Sequence, residues 1–230
     1  MRIIHFSDFH LRADHLERAE SIIKRLKETL RTISEERKID LIIFSGDMID
    51  KAGKDFSDPK IHCAFEKFKE MVILPLTSEV GLAPNRFVYT MGNHEIDRSA
   101  VGGDDKDQEI TDRLKNHEDV DWYIHNDGKD QPRIAEYNRL RDTYWQEYKE
   151  DATIKLTPFQ YGIKFNIDGK VVGVNCLNTA WRCYKSETDE HKIVLGKSQI
   201  TDSRDFFEDC HIRLAVGHHH PNMMNPFETN

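Results

Sequence analysis

Four short apolar runs in this chain, each patterned like a β-strand, end in residues that bind metal ions. Arg2-Ile3-Ile4-His5-Phe6-Ser7 leads into Asp8-Phe9-His10, and Leu41-Ile42-Ile43-Phe44-Ser45 leads into Gly46-Asp47. Phe87-Val88-Tyr89-Thr90-Met91 precedes Gly92-Asn93-His94-Glu95, and Ile212-Arg213-Leu214-Ala215-Val216-Gly217 precedes His218-His219-His220-Pro221. In open α/β sheets the carboxyl ends of the strands face one crevice, where ligands bind. Four such strands gather carboxylate, amide and imidazole donors at one rim. With no thiolate among them, the set suits Mn, Fe, Zn or Mg better than a structural zinc. Taken singly, Asp8 reads as a helix cap and Asp47 as a turn aspartate; at the ends of successive strands they read as ligands. His5 and His62 read as structural or surface histidines, and Glu95 as a hydrogen-bond partner rather than a catalyst.

Between the first two runs, Leu16, Ala19, Ile22, Ile23, Leu26, Leu30 and Ile33 recur at three- and four-residue steps among charges. That period predicts an amphipathic helix, with Asp14 placed as its N-cap. Strand, helix and strand make a βαβ unit, which requires a parallel pair and a right-handed crossover. A second helical stretch with Ile61, Phe65, Phe68 and Val72 on one face precedes the third run. From Ala100 to about Asp151 the pattern dissolves, apart from a polar helix carrying Tyr137, Leu140, Tyr144, Trp145 and Tyr148. This segment reads as an insertion near the rim. Phe159 to Asn166 and Lys170 to Asn178 flank Asp168-Gly169, a strong two-residue hairpin signal. Trp181 reads as core, and Lys197 to Phe207 as a short helix feeding the last strand.

With 38% apolar residues the 230-residue chain can bury a core. A formal net charge of -8 excludes a global pull toward nucleic acid or anionic membrane, while leaving room for a local basic patch. Cys63, Cys176, Cys183 and Cys210 form no C-x-x-C pattern and read as free thiols in a reducing cytoplasm. The start at Met1 runs straight into a strand pattern, from which no signal peptide is expected, and no apolar stretch approaches the roughly 20 residues of a membrane span.

The ordered set Asp-x-His, Gly-Asp, Gly-Asn-His-Glu and a histidine two residues before a proline runs from Asp8 to His219. It resembles the calcineurin-like metallophosphoesterase superfamily, which includes purple acid phosphatases, cyclic-nucleotide phosphodiesterases and the nuclease subunit of double-strand-break repair complexes. The resemblance implies an α/β sandwich of two packed mixed β-sheets flanked by helices. It implies a site for two divalent metal ions, Mn favoured, with Asp8 and His10 on one, Asn93 and His219 on the other, and Asp47 bridging. His94 would stand beside the leaving-group oxygen as a general acid or stabilising cation, oriented by Glu95 or Asp97. The insertion would shape the substrate pocket or form a lid.

One part of the family pattern is missing. It closes with a Gly-His-x-His segment that supplies a further histidine to each metal, and the ten residues after His220 hold none. The expectation is therefore an N-terminal metallophosphoesterase domain, residues 1–230, of a longer protein. The other reading makes Gly217-His218-His219-His220 itself the closing segment, with His218 and His220 as ligands. The activity implied is metal-dependent hydrolysis of phosphoesters, phosphodiesterase or nuclease-type ahead of protein phosphatase, with nucleotide or nucleic acid among the substrates and no membrane partner. The competing class is a phosphoesterase-like binding or regulatory module of a larger signalling or defence protein.

Overall fold

A computed structural model of the chain describes residues 1–128, 131–185, 189 and 192–228. Strands β1 (Ile3–Phe6), β2 (Leu41–Phe44) and β3 (Phe87–Tyr89) form a parallel sheet in that order. The central strand β2 is buried at all four positions. That is the reason its sequence is continuously apolar rather than alternating. Helix α1 (Leu16–Glu36) makes the crossover and buries Ala19, Ile23 and Leu30. The predicted N-cap is different: Asp14 lies in a 3-10 turn, Ala13–His15, and binds Arg12 at 2.7 and 2.9 Å. The guanidinium next door out-competes the amides of the first helical turn for the carboxylate. Helix α2 (Lys60–Phe68) continues through a π-helical turn, Lys69–Ile73, into α3 (Leu74–Glu79) and carries Ile61, Phe65, Phe68 and Val72 inward, as their spacing predicts.

The second sheet runs β4 (Ala152–Leu156), β5 (Tyr161–Ile167), β6 (Lys170–Cys176), β7 (Ile212–Val216). Asp168 and Gly169, both at positive φ, make the β5–β6 hairpin turn that their residue types predict. The strand that leads into the histidine triplet, β7, belongs to this sheet and runs parallel to β6. The site is therefore assembled across two sheets, not along one. Tyr161 joins the layers: its hydroxyl donates to Tyr89 O and accepts from Tyr89 N, and Thr90 Oγ1 donates to Leu177 O at 2.8 Å.

The segment that looked patternless contains three helices, α4 (Asp104–Arg113), α5 (His117–Asn126) and α6 (Pro132–Glu147). Helix α6 is a core element. Tyr137, Tyr144 and Trp145 are all buried, and the Trp145 ring stacks on Tyr89 at 6.3 Å. Its weak amphipathicity hid this, because Arg133 and Arg141 are buried beside the aromatics. Trp181 is fully buried, as read, and all four cysteines are free. No helix among the described residues is long and apolar enough to cross a membrane.

A buried charge cluster locks α4 and α6 to the loop after β6. Asp107 Oδ1 lies 3.3 Å from Arg133 Nη1 and 3.0 Å from Arg182 Nη2, and Arg133 also reaches the carbonyls of Arg182 and Cys183. Burial, followed by the neighbouring Arg182 charge, holds the Arg133 pKa below its ordinary value. Removing the only carboxylate among these contacts leaves two guanidinium groups uncompensated. Asp107→Ala is expected to lower stability by about 3–5 kcal/mol. Denaturant unfolding checks this, and a loss below about 1 kcal/mol would show that the cluster is solvated.

Candidate metal centre

The loops after β1 and β2 are zipped together by backbone hydrogen bonds. Asp8 N donates to Gly46 O at 3.1 Å, His10 N to Asp47 O at 3.0 Å, and Leu11 N to Met48 O at 2.9 Å. To turn so sharply off their strands, Asp8, His10 and Asp47 adopt φ of 58°, 49° and 60°. Left-handed backbone costs a non-glycine residue roughly 1–2 kcal/mol. Three adjacent cases in one loop pair mark a place where side-chain direction outweighs local comfort.

Asp47 is the centre of the arrangement. Its carboxylate is almost fully buried, and Oδ2 lies 3.6 Å from His10 Nε2 and 3.5 Å from His218 Nε2. Oδ1 accepts the amide of His94 at 2.9 Å. The donor atoms form two overlapping groups, His10, Asp47 and His94, and Asp8, Asp47 and His218, each within 4.8 Å. Asp47 is common to both. Burial opposes ionisation of Asp47, but the contact with His218 outweighs it and holds the carboxyl below its usual range. Burial likewise opposes a charge on His218, yet Asp47 lifts it to about 9.

Asn93 Oδ1 lies 3.1 Å from His218 Nε2, completing a ring of donors from β1, β2, β3 and β7. Of the histidine triplet, it is His218 that enters this ring. Its Nδ1–H donates to Ser45 O at 2.8 Å, which aims Nε2 at Asp47 and Asn93. His219, the residue selected by its distance from the proline, is turned aside. Its Nδ1 pairs with Thr179 Oγ1 at 3.0 Å, its Nε2 lies 3.7 Å from Cys183 Sγ, and burial lowers its pKa to about 4. His220 caps the following turn through Asn222 N. Spacing to a proline could not separate the three; the bend at His218 and His219 after β7 does, sending the one imidazole to Ser45 O and the other to Thr179 Oγ1.

His94 follows Asn93 and points elsewhere. Its Nδ1 donates to Asp50 Oδ1 at 2.7 Å, and its ring lies 4.4 Å from that of His10. Burial lowers the His94 pKa despite the nearby Asp47 charge. The orienting partner is thus Asp50, not Asp97 or Glu95. Asp97 caps the next 3-10 turn through Ser99 N at 3.0 Å. Glu95 is fully enclosed and accepts the amides of Asp47, Ile49 and Gly92 at 2.9, 3.1 and 2.7 Å. It ties the loop after β2 to the loop after β3; burial and the Asp47 charge raise its carboxyl to about 7 against those three donors. His5 bonds Ser45 Oγ and His62 sits near Arg139, both structural placements.

Gly92 explains why the third segment needs glycine there. A Cβ would run into the Asp47 carboxylate and amide. Gly92→Ala is expected to fold but to displace Asp47 and lose most metal binding, checked by elemental analysis beside circular dichroism. Undiminished metal content would show that the loops yield without cost.

The family model for calcineurin-like phosphoesterases matches residues 1–222, almost the whole chain. No curated protein matches.

Proposed function

Because the chain belongs to the calcineurin-like phosphoesterase family, whose members carry out metal-dependent phosphoester hydrolysis, we propose that this centre holds two divalent cations and cleaves phosphodiesters, nucleotide or nucleic acid among them, rather than phosphoproteins. The observation that carries the reading is Asp47 Oδ2, which faces an imidazole on each side at 3.6 and 3.5 Å. Those spacings exceed the roughly 2.7–2.9 Å of a charge-assisted hydrogen bond, so the donors converge without closing on one another. Such a set of hard oxygen and imidazole donors fits divalent cations. Asp8 and His10 would hold one, Asn93 and His218 the other, and Asp47 both. His218 takes the place that spacing assigned to His219. Mn is the favoured ion, with Fe, Zn and Mg compatible.

Cations held there supply charge neutralisation of the phosphate and a nucleophile at neutral pH. The chain's own groups do the rest. Ser45 O and Thr179 fix the two adjacent imidazoles, and Glu95 keeps the ligand loops in register. His94, steered by Asp50, protonates or stabilises the departing oxygen. The free thiols fit a reducing compartment, for which we propose the cytoplasm.

The test is a screen of the Mn-loaded protein against bis(p-nitrophenyl) phosphate, cyclic nucleotides, DNA and a phosphopeptide. Turnover of the diesters above the phosphopeptide is expected. Metal binding without any turnover would favour the binding or regulatory module.

A further inference from the structure

Behind the His94 loop lies a cavity of about 610 Å³ that the hydrolytic reading leaves unused. Its wall nearest the site is the turn at Lys51 and Ala52. There Lys51 N lies 3.3 Å from His94 Nδ1, and Ala52 N donates to His94 O at 2.7 Å. Ile96 and Asp97, two and three residues beyond His94, form another wall. Through this turn the cavity adjoins the His94 loop.

The lining is basic in a chain whose formal charge is -8. Lys51, Lys54 and Lys60 are exposed along it, and none is ion-paired with a carboxylate among the described residues. Three acids, Asp58, Asp97 and Glu136, share the lining, and two of them are engaged. Glu136 binds Arg139 at 2.6 and 2.9 Å, and Asp97 is held by Ser99. Helix α2 begins at Lys60 on the same wall without a side-chain cap, so its first amides add to the positive field. The backbone commits to the shape as well: Lys51 and Ala52 both sit at positive φ, 46° and 52°.

We propose that this cavity binds a second phosphate carried by the leaving group, so that the preferred substrate is a phosphoester whose departing alcohol is itself phosphorylated. The assignment rests on the reading of the centre as a hydrolase with His94 on the leaving-group side. A nucleic-acid strand and a small bisphosphate share this chemistry. In either, the reacting phosphate lies at the metal centre and the second sits against Lys51, Lys54 and Lys60.

The experiment uses the full chain loaded with Mn and two substrate pairs. One is a thymidine dinucleotide with and without a terminal phosphate on the leaving nucleoside; the other is fructose bisphosphate and fructose monophosphate. Bis(p-nitrophenyl) phosphate serves as the ester with an uncharged leaving group. In at least one pair the phosphate-bearing member is expected to be favoured in kcat/KM by about tenfold at low salt, with the preference shrinking as salt screens it. The double variant Lys54→Gln, Lys60→Gln should lose that preference through KM and hydrolyse bis(p-nitrophenyl) phosphate as the unmodified protein does. Preference in the dinucleotide pair alone identifies a strand, and in the fructose pair alone a small bisphosphate. Turnover of bis(p-nitrophenyl) phosphate with no preference in either pair, or a preference the variant retains, overturns the cavity assignment and leaves the hydrolase reading standing. No turnover of any ester overturns both.

Discussion

Asp47→Asn is expected to strip the centre of metal more completely than removal of Asp8 or His10. The variant keeps the size of the side chain and an oxygen to accept the His94 amide, so the loop retains its 2.9 Å hydrogen bond. What it loses is the charge that faces His10 and His218 together. Replacing a group that only orients a ligand costs about 10–100-fold in metal affinity. A carboxylate shared by two cations should cost more than that. The same change should abolish stabilisation by added metal, worth about 2.7 kcal/mol at a hundredfold excess over the dissociation constant. Elemental analysis and thermal melts with and without Mn read both effects. Equal metal content with unchanged hydrolysis would remove Asp47 from the centre.

His94→Ala is expected to lower turnover by ~10²–10⁴-fold, the usual worth of a general acid, while metal content stays near that of the unmodified protein. The geometry makes this a sharp test. His94 lies within the same donor group as His10 and Asp47, so proximity alone would equally allow it to be a ligand. Asp50→Asn supplies the complementary result. It should leave metal in place and reduce turnover less than His94→Ala, because it alters the orientation of the imidazole rather than removing it. Loss of metal from His94→Ala would make His94 a ligand and return the proton-transfer role to another group.

Much of this architecture is legible in the sequence alone. Period-3.6 apolar positions placed α1, short apolar runs placed the strands, and Asp168-Gly169 placed the hairpin, because each signal is local and set by backbone geometry. Asp8, His10, Asp47, Asn93 and His94 come together for a related reason: each lies within five residues of a strand end, and strand ends converge. The structure departs from the sequence reading where partners are distant in sequence. Asp50 is anonymous in a loop until β3 brings His94 against it. His218 and His219 are equivalent as letters and are separated only by Ser45 O on one side and Thr179 on the other. Helix α6 reads as a polar helix because its buried Arg133 is answered by Asp107 and by loop carbonyls that only the folded chain supplies, and its buried Arg141 by the adjacent Asp142.

The central claim, that hydrolysis runs through cations gathered around Asp47, is tested most directly by removing them. The protein should be exhaustively chelated, its metal content measured, and its turnover of bis(p-nitrophenyl) phosphate followed as Mn is added back. The account predicts negligible turnover in the stripped protein and recovery in proportion to metal bound, with no recovery in Asp47→Asn. Full turnover by protein that elemental analysis shows to be free of metal would contradict it.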